Sequence, residues 1–307
     1  MPADITSGAT QPVPCLCVIL VNFNGGELLT DAVAAVLANG VCVQVIVSDN
    51  ASTDASLDHL RRRFGGDRRL RVLENGANLG FARGSNRALA LADAPYVLFL
   101  NPDCVVERGT LAYMLAFMEA TPNAGMAGCV IRDPDGSEQR ASRRRIPDPW
   151  IGLVELLHLG RVWPRLAAER QLDLTDQPLP DGPVEADAIS GSLMLVRRAA
   201  LEAVGPLDDG YFLHCEDLDW FVRFRQHGWL IYLLPGAEAV HYQGMCSRSA
   251  PLQVEWHKHR GMVRFYRKFQ AASNHSVFNV LVVFGIWAHF VLVGGVWGLR
   301  RLWGAKQ

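Results

Sequence analysis

Apolar and polar positions change period several times along the chain, and each change predicts an element. Cys15 to Val21 is an unbroken apolar run, the pattern of a buried strand, and Glu27 to Ala38 carries apolar residues at helical spacing. Val43 to Ser48 predicts a second strand, followed by a helix over Ala55 to Phe64 with Asp54 as its N-cap. The alternation continues through a short strand at Leu70 to Leu73, a helix at Gly84 to Ala92 and a strand at Val97 to Leu100. A helix at Arg108 to Glu119 and a strand at Ala124 to Ile131 complete it. Strands and helices alternating at this pace predict an α/β fold, a parallel sheet with helices on both faces.

Beyond Ile131 the rhythm breaks. Residues 132–186 are rich in Pro, Gly and Arg around one apolar stretch, Trp150 to Leu159. A compact pattern returns at Asp187 to Val196, then at Tyr211 to Trp220 with a helix to about His227 and a strand from Trp229 to Leu234. Gln253 to Phe269 reads as a basic amphipathic helix. The expected organisation is a loose tail over 1–13, a catalytic domain over 14–252 in two halves (14–131 and 132–252), and a C-terminal segment over 253–307.

That last segment ends in a run from Val277 to Leu299, 23 residues without a formal charge, in which Asn279 and His289 are the strongly polar members. A membrane span needs about 20 mainly apolar residues. Arg264, Arg267 and Lys268 lie before it, Arg300, Arg301 and Lys306 after it, and tryptophans stand at 287, 297 and 303. The segment therefore predicts membrane association, as a span or as a helix lying in the interface. Half of the chain is hydrophobic, enough for a sizeable core, and a net charge of −1 argues against nucleic acid as a partner. The seven cysteines form no CxxC pair, which points to a reducing compartment, and the N-terminal residues show no secretory pattern.

Chemistry enters with acids at predicted strand ends, the edge where open α/β sheets bind ligands. Val47-Ser48-Asp49-Asn50 brings one carboxylate there, where it can accept from a nucleoside or cap a turn. Phe99-Leu100-Asn101-Pro102-Asp103 brings another. Asp103 is the candidate for a divalent metal, Mg²⁺ or Mn²⁺, and the diphosphate of a nucleotide; a turn-stabilising Asn-Pro-Asp is the alternative. The Gly- and Asn-rich loop from Glu74 to Asn86 enters a helix, whose backbone can meet an anion and from which Arg83 can reach a phosphate. Glu216-Asp217 supplies a general base, with Asp217 preferred, while Asp219 and Arg223 have the spacing of an intrahelical ion pair. His241 joins the metal only if the fold returns it to Asp103. Arg140, Arg143, Arg144 and Arg145 form a basic cluster, either a solvated loop or a clamp for anionic lipid.

Taken in order, these segments resemble a family-2 glycosyltransferase with the GT-A fold, and within it the bacterial rhamnosyltransferase-like branch. The resemblance is carried by Val18 to Asn24, Val47 to Asp54, Asn78 to Asn86, Phe99 to Asp103, Gly191 to Met194, Phe212 to Asp219 and His241 to Gly244. It implies an inverting, metal-dependent sugar transfer from a nucleotide diphosphate. In that scheme Asn22, Asn24, Asp49, Asn78, Arg83, Asn101 and Asp103 serve the donor, and Asp103 and His241 the metal. Asp217 with Glu216 is catalytic, and Gly191, Ser192 and Trp220 line the acceptor side. Asn101 departs from the family, many members of which carry Asp there. The branch implies dTDP-L-rhamnose as donor, a polyprenyl-diphosphate-linked saccharide as acceptor, and work at the cytoplasmic face of the bacterial inner membrane. The alternatives are a membrane-tethered, non-catalytic sugar-nucleotide-binding protein and a sugar nucleotidyltransferase. The latter would want a basic residue in the first Gly-rich loop, which Asn22 to Glu27 lacks.

Overall fold

Each apolar run read as a strand between Cys15 and Ile131 becomes one. The computed structural model describes residues 15–147, 172–242 and 251–304, with side chains described to residue 297. The expected tail at 1–13, the apolar stretch Trp150 to Leu159, Gln243-Gly244 and the side chains of Arg300, Arg301, Trp303 and Lys306 lie outside the described residues.

Four parallel strands form the first half: β1 (Leu16–Asn22), β2 (Val43–Asp49), β3 (Leu70–Glu74) and β4 (Tyr96–Leu100). The chain continues through β5 (Cys104–Val106), β6 (Ala124–Arg132), β7 (Val184–Glu185), β8 (Leu193–Arg197) and β9 (Leu230–His241). The sheet runs β3-β2-β1-β4-β8-β6-β9-β5, with β7 also on β9. β6 is thus not the neighbour of β4: β8 returns antiparallel between them, Leu100 opposite Leu193. Both expected halves of the catalytic domain contribute to this one sheet.

The helices are α1 (Gly26–Leu37), α2 (Ser56–Phe64), α3 (Gly80–Leu89), α4 (Thr110–Ala120), α5 (Arg198–Val204), α6 (Glu216–Gln226), α7 (Pro251–Phe269) and α8 (Ser276–Gly304). Strand side chains alternate between the two faces. Leu16, Val18, Leu20, Val45, Val47, Leu98 and Leu100 pack with α1, α2 and α4 on one side. Cys17, Ile19, Ile46, Val97 and Phe99 pack with α3, α5, α6 and Phe265 of α7 on the other. Burial on both faces explains why the strands read as continuous apolar runs.

Three details differ from the pattern-based expectation. α3 begins at Gly80, four residues before Gly84. Asn78 Oδ1 accepts from the Gly80 amide at 3.0 Å, and Gly80 turns the chain at φ +79°. Any Cβ there would lie 2.2 Å from the Phe212 carbonyl oxygen, so only glycine permits this entry. α2 begins at Ser56, and Asp54 holds its first turn by accepting from the Ser56 amide at 3.1 Å. β9 runs on to His241 through a bulge around Pro235, whose ring nitrogen cannot donate to the ladder.

α8 holds a stretch, Ser276–Trp297, long and apolar enough to cross a membrane, with a mean hydropathy of 2.2. Its Asn279 and His289 are taken up by α7. Tyr266 Oη donates to Asn279 Oδ1 at 2.5 Å, and His259 Nε2 lies 2.9 Å from His289 Nδ1. Trp256 of α7 stacks near Trp287, ring centres 4.8 Å apart. Val277, Phe284 and Val291 remain outward and exposed.

Candidate active site

The carboxyl ends of β1, β2 and β4 lie side by side, as the strand order requires. Asn22, in register with Asp49, donates to its Oδ1 at 2.8 Å. Ser52 donates to both Asp49 oxygens, from its hydroxyl at 2.7 Å and its amide at 3.0 Å. Asn24, left-handed at φ 56°, accepts from the Thr53 amide at 2.8 Å. The polar atoms of Asn22, Asn24 and Asp49 are therefore engaged in shaping the 50–56 loop. Asn78 is exposed and caps α3.

Asp103 and His241 come together because Cys104 on β5 stands opposite His241 on β9, and the Tyr242 amide donates to the Asp103 carbonyl at 2.9 Å. Asp103 Oδ1 and His241 Nε2 are 3.1 Å apart, both side chains buried. Gln139 decides the imidazole's tautomer. Its amide nitrogen donates to Asp133 Oδ1 at 2.6 Å and to the His241 carbonyl at 3.3 Å, leaving Oε1 to accept from His241 Nδ1 at 2.7 Å. With the proton on Nδ1, the Nε2 lone pair and the Asp103 carboxylate face a common position, where a cation would satisfy both. Asn101 Nδ2, 3.3 Å from Nε2, adds a neutral donor. Among the described residues no cluster of three or more His, Cys, Asp or Glu forms a ligand set, so the protein would supply two ligands. A hard divalent ion fits that pair, since it completes its shell with water and phosphate oxygens.

The loop 190–192 joins this position to the acid pair of α6. The Asn101 amide donates to the Ser192 carbonyl at 2.8 Å. Next to it, a Cβ on Gly191 would fall 2.7 Å from Asp217 Oδ2, so the glycine makes room for that carboxylate. Asp217 sits in the first turn of α6, its Oδ1 accepting from the Leu218 amide at 2.8 Å. Arg144 pairs with its Oδ2. His214 and Cys215, just before the helix, are both left-handed, at φ 69° and 70°. Two such non-glycine residues in a row are strained, and strain of this kind concentrates at functional sites. Glu216 is buried, and its Oε2 has no hydrogen-bond partner. Burial first, and the neighbouring Asp217 second, push its carboxyl up to about 8. Burial thus favours the neutral form of Glu216, and the half-buried Asp217 is the better-placed candidate base.

Two expected acceptor residues change role. Trp220 is fully buried, its ring edge-on to Phe99 and Phe224 and its Nε1 donating to the Gly205 carbonyl at 3.0 Å, so it is a core residue and cannot meet an acceptor. The Ser192 hydroxyl is buried against that of Ser190 at 2.9 Å, and the residue acts through its backbone. The basic cluster is neither a free loop nor a free clamp: Arg143 pairs with Glu138, Arg144 with Asp217, and Arg140 with Asp173. Arg83 lines a cavity with residues of the 209–212 loop and α7, none of which is Asp49, Asn101 or Asp103. Sequence reasoning missed Gln139 and the contact of Arg144 with Asp217. Arg144 stood in a cluster already noticed, whereas Gln139 gave no signal, because long-range strand pairing alone brings it to His241.

The family model for glycosyl transferase family 2 matches residues 17–205. N-acetylglucosaminyl-diphospho-decaprenol L-rhamnosyltransferase of Mycobacterium tuberculosis is 35% identical over 243 residues, covering 74% of this chain and 76% of that protein. Rhamnosyltransferase WbbL of Escherichia coli is 27% identical over 222 residues, covering 68% of this chain and 78% of that protein. Among solved structures, the mannosyltransferase PcManGT of Pyrobaculum calidifontis, in complex with GDP-Man and Mn²⁺, is similar with a TM-score of 0.58. That match has 16% identity and covers 95% of this chain and 80% of the other. Residues 1–349 of Staphylococcus aureus TarS with UDP-GlcNAc give a TM-score of 0.56 at 16% identity, over 87% of this chain and 70% of that one. At such identity the likeness is one of fold. With a family match over most of the sheet and a relative above one-third identity across three-quarters of its length, the chain belongs to glycosyl transferase family 2 and has the GT-A fold.

Proposed function

We propose that the protein transfers L-rhamnose from dTDP-L-rhamnose, with inversion, to a polyprenyl-diphosphate-linked saccharide at the cytoplasmic face of the bacterial inner membrane, serving cell-envelope polysaccharide synthesis. The observation that supports this reading most is the 190–192 loop, which meets Asn101, two residues before Asp103, on one side and the Asp217 carboxylate on the other. The names of the two rhamnosyltransferase relatives support the sugar, and the mycobacterial one supports the lipid-linked acceptor.

On this reading the nucleoside rests against the 50–56 loop that Asn22, Asn24 and Asp49 shape, beside Asn78. The donor diphosphate lies at Asp103, His241 and Asn101. Asp103 and His241 would hold a divalent ion, Mg²⁺ or Mn²⁺, which would supply positive charge against the leaving diphosphate. Asp217 takes the proton of the acceptor hydroxyl while its oxygen forms the bond to the anomeric carbon, and the carbon–oxygen bond to the diphosphate breaks with its electron pair. One-sided displacement by a single base accounts for inversion. Gly191 keeps the acceptor side open next to Asp217, and Arg144 fixes that carboxylate's orientation until the acceptor arrives.

Thermal stabilisation of the detergent-solubilised protein by dTDP, UDP and GDP, with and without Mn²⁺, tests the donor. The largest, metal-dependent shift is expected with dTDP and should vanish in Asp103→Ala. A larger shift with UDP or GDP would exclude dTDP-L-rhamnose.

A further inference from the structure

A cavity of about 230 Å³ lies between the first turns of α3, the 209–212 loop and α7, and the mechanism above does not use it. Arg83, Asp209, Gly210, Phe212, His257 and Arg260 line it. Arg83 and Arg260 are exposed and have no ion-pair or hydrogen-bond partner among the described residues. One turn on along α7, by contrast, Arg264 and Lys268 are both tied to Asp208, at 2.8 and 2.7 Å. His257 stacks on Phe212, ring centres 4.1 Å apart, and its Nδ1 is buried without a partner. Burial first, and the nearby Arg260 second, hold its pKa down. The opposing charge in the lining is Asp209, whose Oδ1 accepts from Asn86 Nδ2 at 2.5 Å.

Two uncommitted guanidiniums and an unsatisfied imidazole around a concave space suit a phosphate-type anion, which arginine binds through paired N–H groups. The position of the cavity decides which anion. Phe212 stands four residues before Glu216 and five before Asp217. A Cβ on Gly261 of α7 would lie 2.8 Å from the His214 carbonyl oxygen, so α7 passes close over the strained approach to the acid pair. The same α7 packs through Trp256 on the apolar α8. The cavity thus shares α7 with both neighbours: Gly261 of its lining lies against the turn before the acid pair, and the same helix packs on α8.

We propose that Arg83, His257 and Arg260 bind the diphosphate of a membrane-lipid-linked acceptor, holding it between the acceptor sugar at Asp217 and the lipid chain along α8. This rests on the glycosyl-transfer reading above. It also removes Arg83 from the donor's contacts, because no donor-side acid lines the cavity.

The test is titration of the full chain in detergent micelles with farnesyl diphosphate, inorganic pyrophosphate and dTDP, followed by tryptophan fluorescence. Arg83→Glu and Arg260→Glu should each weaken farnesyl diphosphate at least about tenfold while leaving dTDP affinity within about twofold. Arg260→Gln, which keeps the side chain polar, should give a smaller loss in the same direction. Farnesyl diphosphate binding that is absent in the unaltered protein, or unchanged in these variants, would overturn the proposal. So would equal losses of dTDP affinity, which would return the cavity to the donor, or pyrophosphate binding as tight as farnesyl diphosphate, which would make it a free-anion site. Retained dTDP binding alongside any of these leaves the transferase reading standing, whereas loss of dTDP binding by the unaltered protein strikes at that reading instead.

Discussion

At the scale of single residues, Gln139 and Glu216 do what their sequence context does not announce. Gln139 holds the proton of His241 on Nδ1 and so leaves the Nε2 lone pair facing the same position as the Asp103 carboxylate. Replacing it by leucine, Gln139→Leu, should lower Mn²⁺ affinity by about 10–100-fold, the usual cost of losing a ligand's orienting partner, as read by metal titration of the dTDP complex. Unchanged affinity would remove Gln139 from the site. Glu216 makes a prediction about pH. Its carboxyl is raised from 4.5 to about 8, so between those values the folded protein holds a proton that the unfolded chain has released. Stability is then greatest below the lower value, falls as pH rises, and levels off above the higher. Glu216→Gln should flatten this slope, and calorimetry at pH 5 and pH 8 should show a smaller difference in Tm than for the unaltered protein. An equal difference would mean that Glu216 is ionised in the fold.

At the scale of elements, the 190–192 loop is the part on which geometry depends most. Gly191→Ala would drive a methyl group into the space of Asp217 Oδ2. A displacement on the order of 1 Å at a catalytic group costs roughly 10²-fold. Transfer should fall by about that factor with dTDP stabilisation intact, and full activity would show that Asp217 is not held there. What could be read in advance divides along physical lines. The parallel strands and the acids at their ends were legible because burial on both faces writes itself as continuous apolar runs. The start of α3 was misplaced because Asn78 and Gly80 act through a cap and a left-handed turn, which periodicity does not record. The insertion of β8 between β4 and β6 was hidden, since pairing between distant segments leaves no local trace. Trp220 differs for a related reason: its neighbours in sequence are the acids of the site, but its indole is fully buried against Phe99 and Phe224, a packing that local sequence does not record.

At the scale of the whole molecule, a sheet that gathers its acids at one edge is joined through α7 to a long apolar helix. Asn279 and His289 of that helix turn inward to α7, and its outer face, with Phe284 69% and Val291 68% exposed, has no protein partner among the described residues. On the proposed function this surface would meet lipid. The full chain should float with anionic vesicles on a density gradient, and Phe284→Lys combined with Val291→Lys should release it, each charge costing on the order of 3 kcal/mol at mid-bilayer. Continued flotation of the double variant would assign attachment elsewhere, for example to the basic face of α7.

Sugar transfer at this edge is proposed to depend on Asp217 as its base. It is tested most directly by following labelled rhamnose from dTDP-L-rhamnose to a prenyl-diphosphate-linked N-acetylglucosamine, using the full chain and its Asp217→Asn variant in detergent micelles with Mn²⁺. The account predicts transfer by the unaltered protein and a loss of about 10²–10⁴-fold in the variant, the range of general-base catalysis. Transfer by Asp217→Asn at the unaltered rate would contradict it.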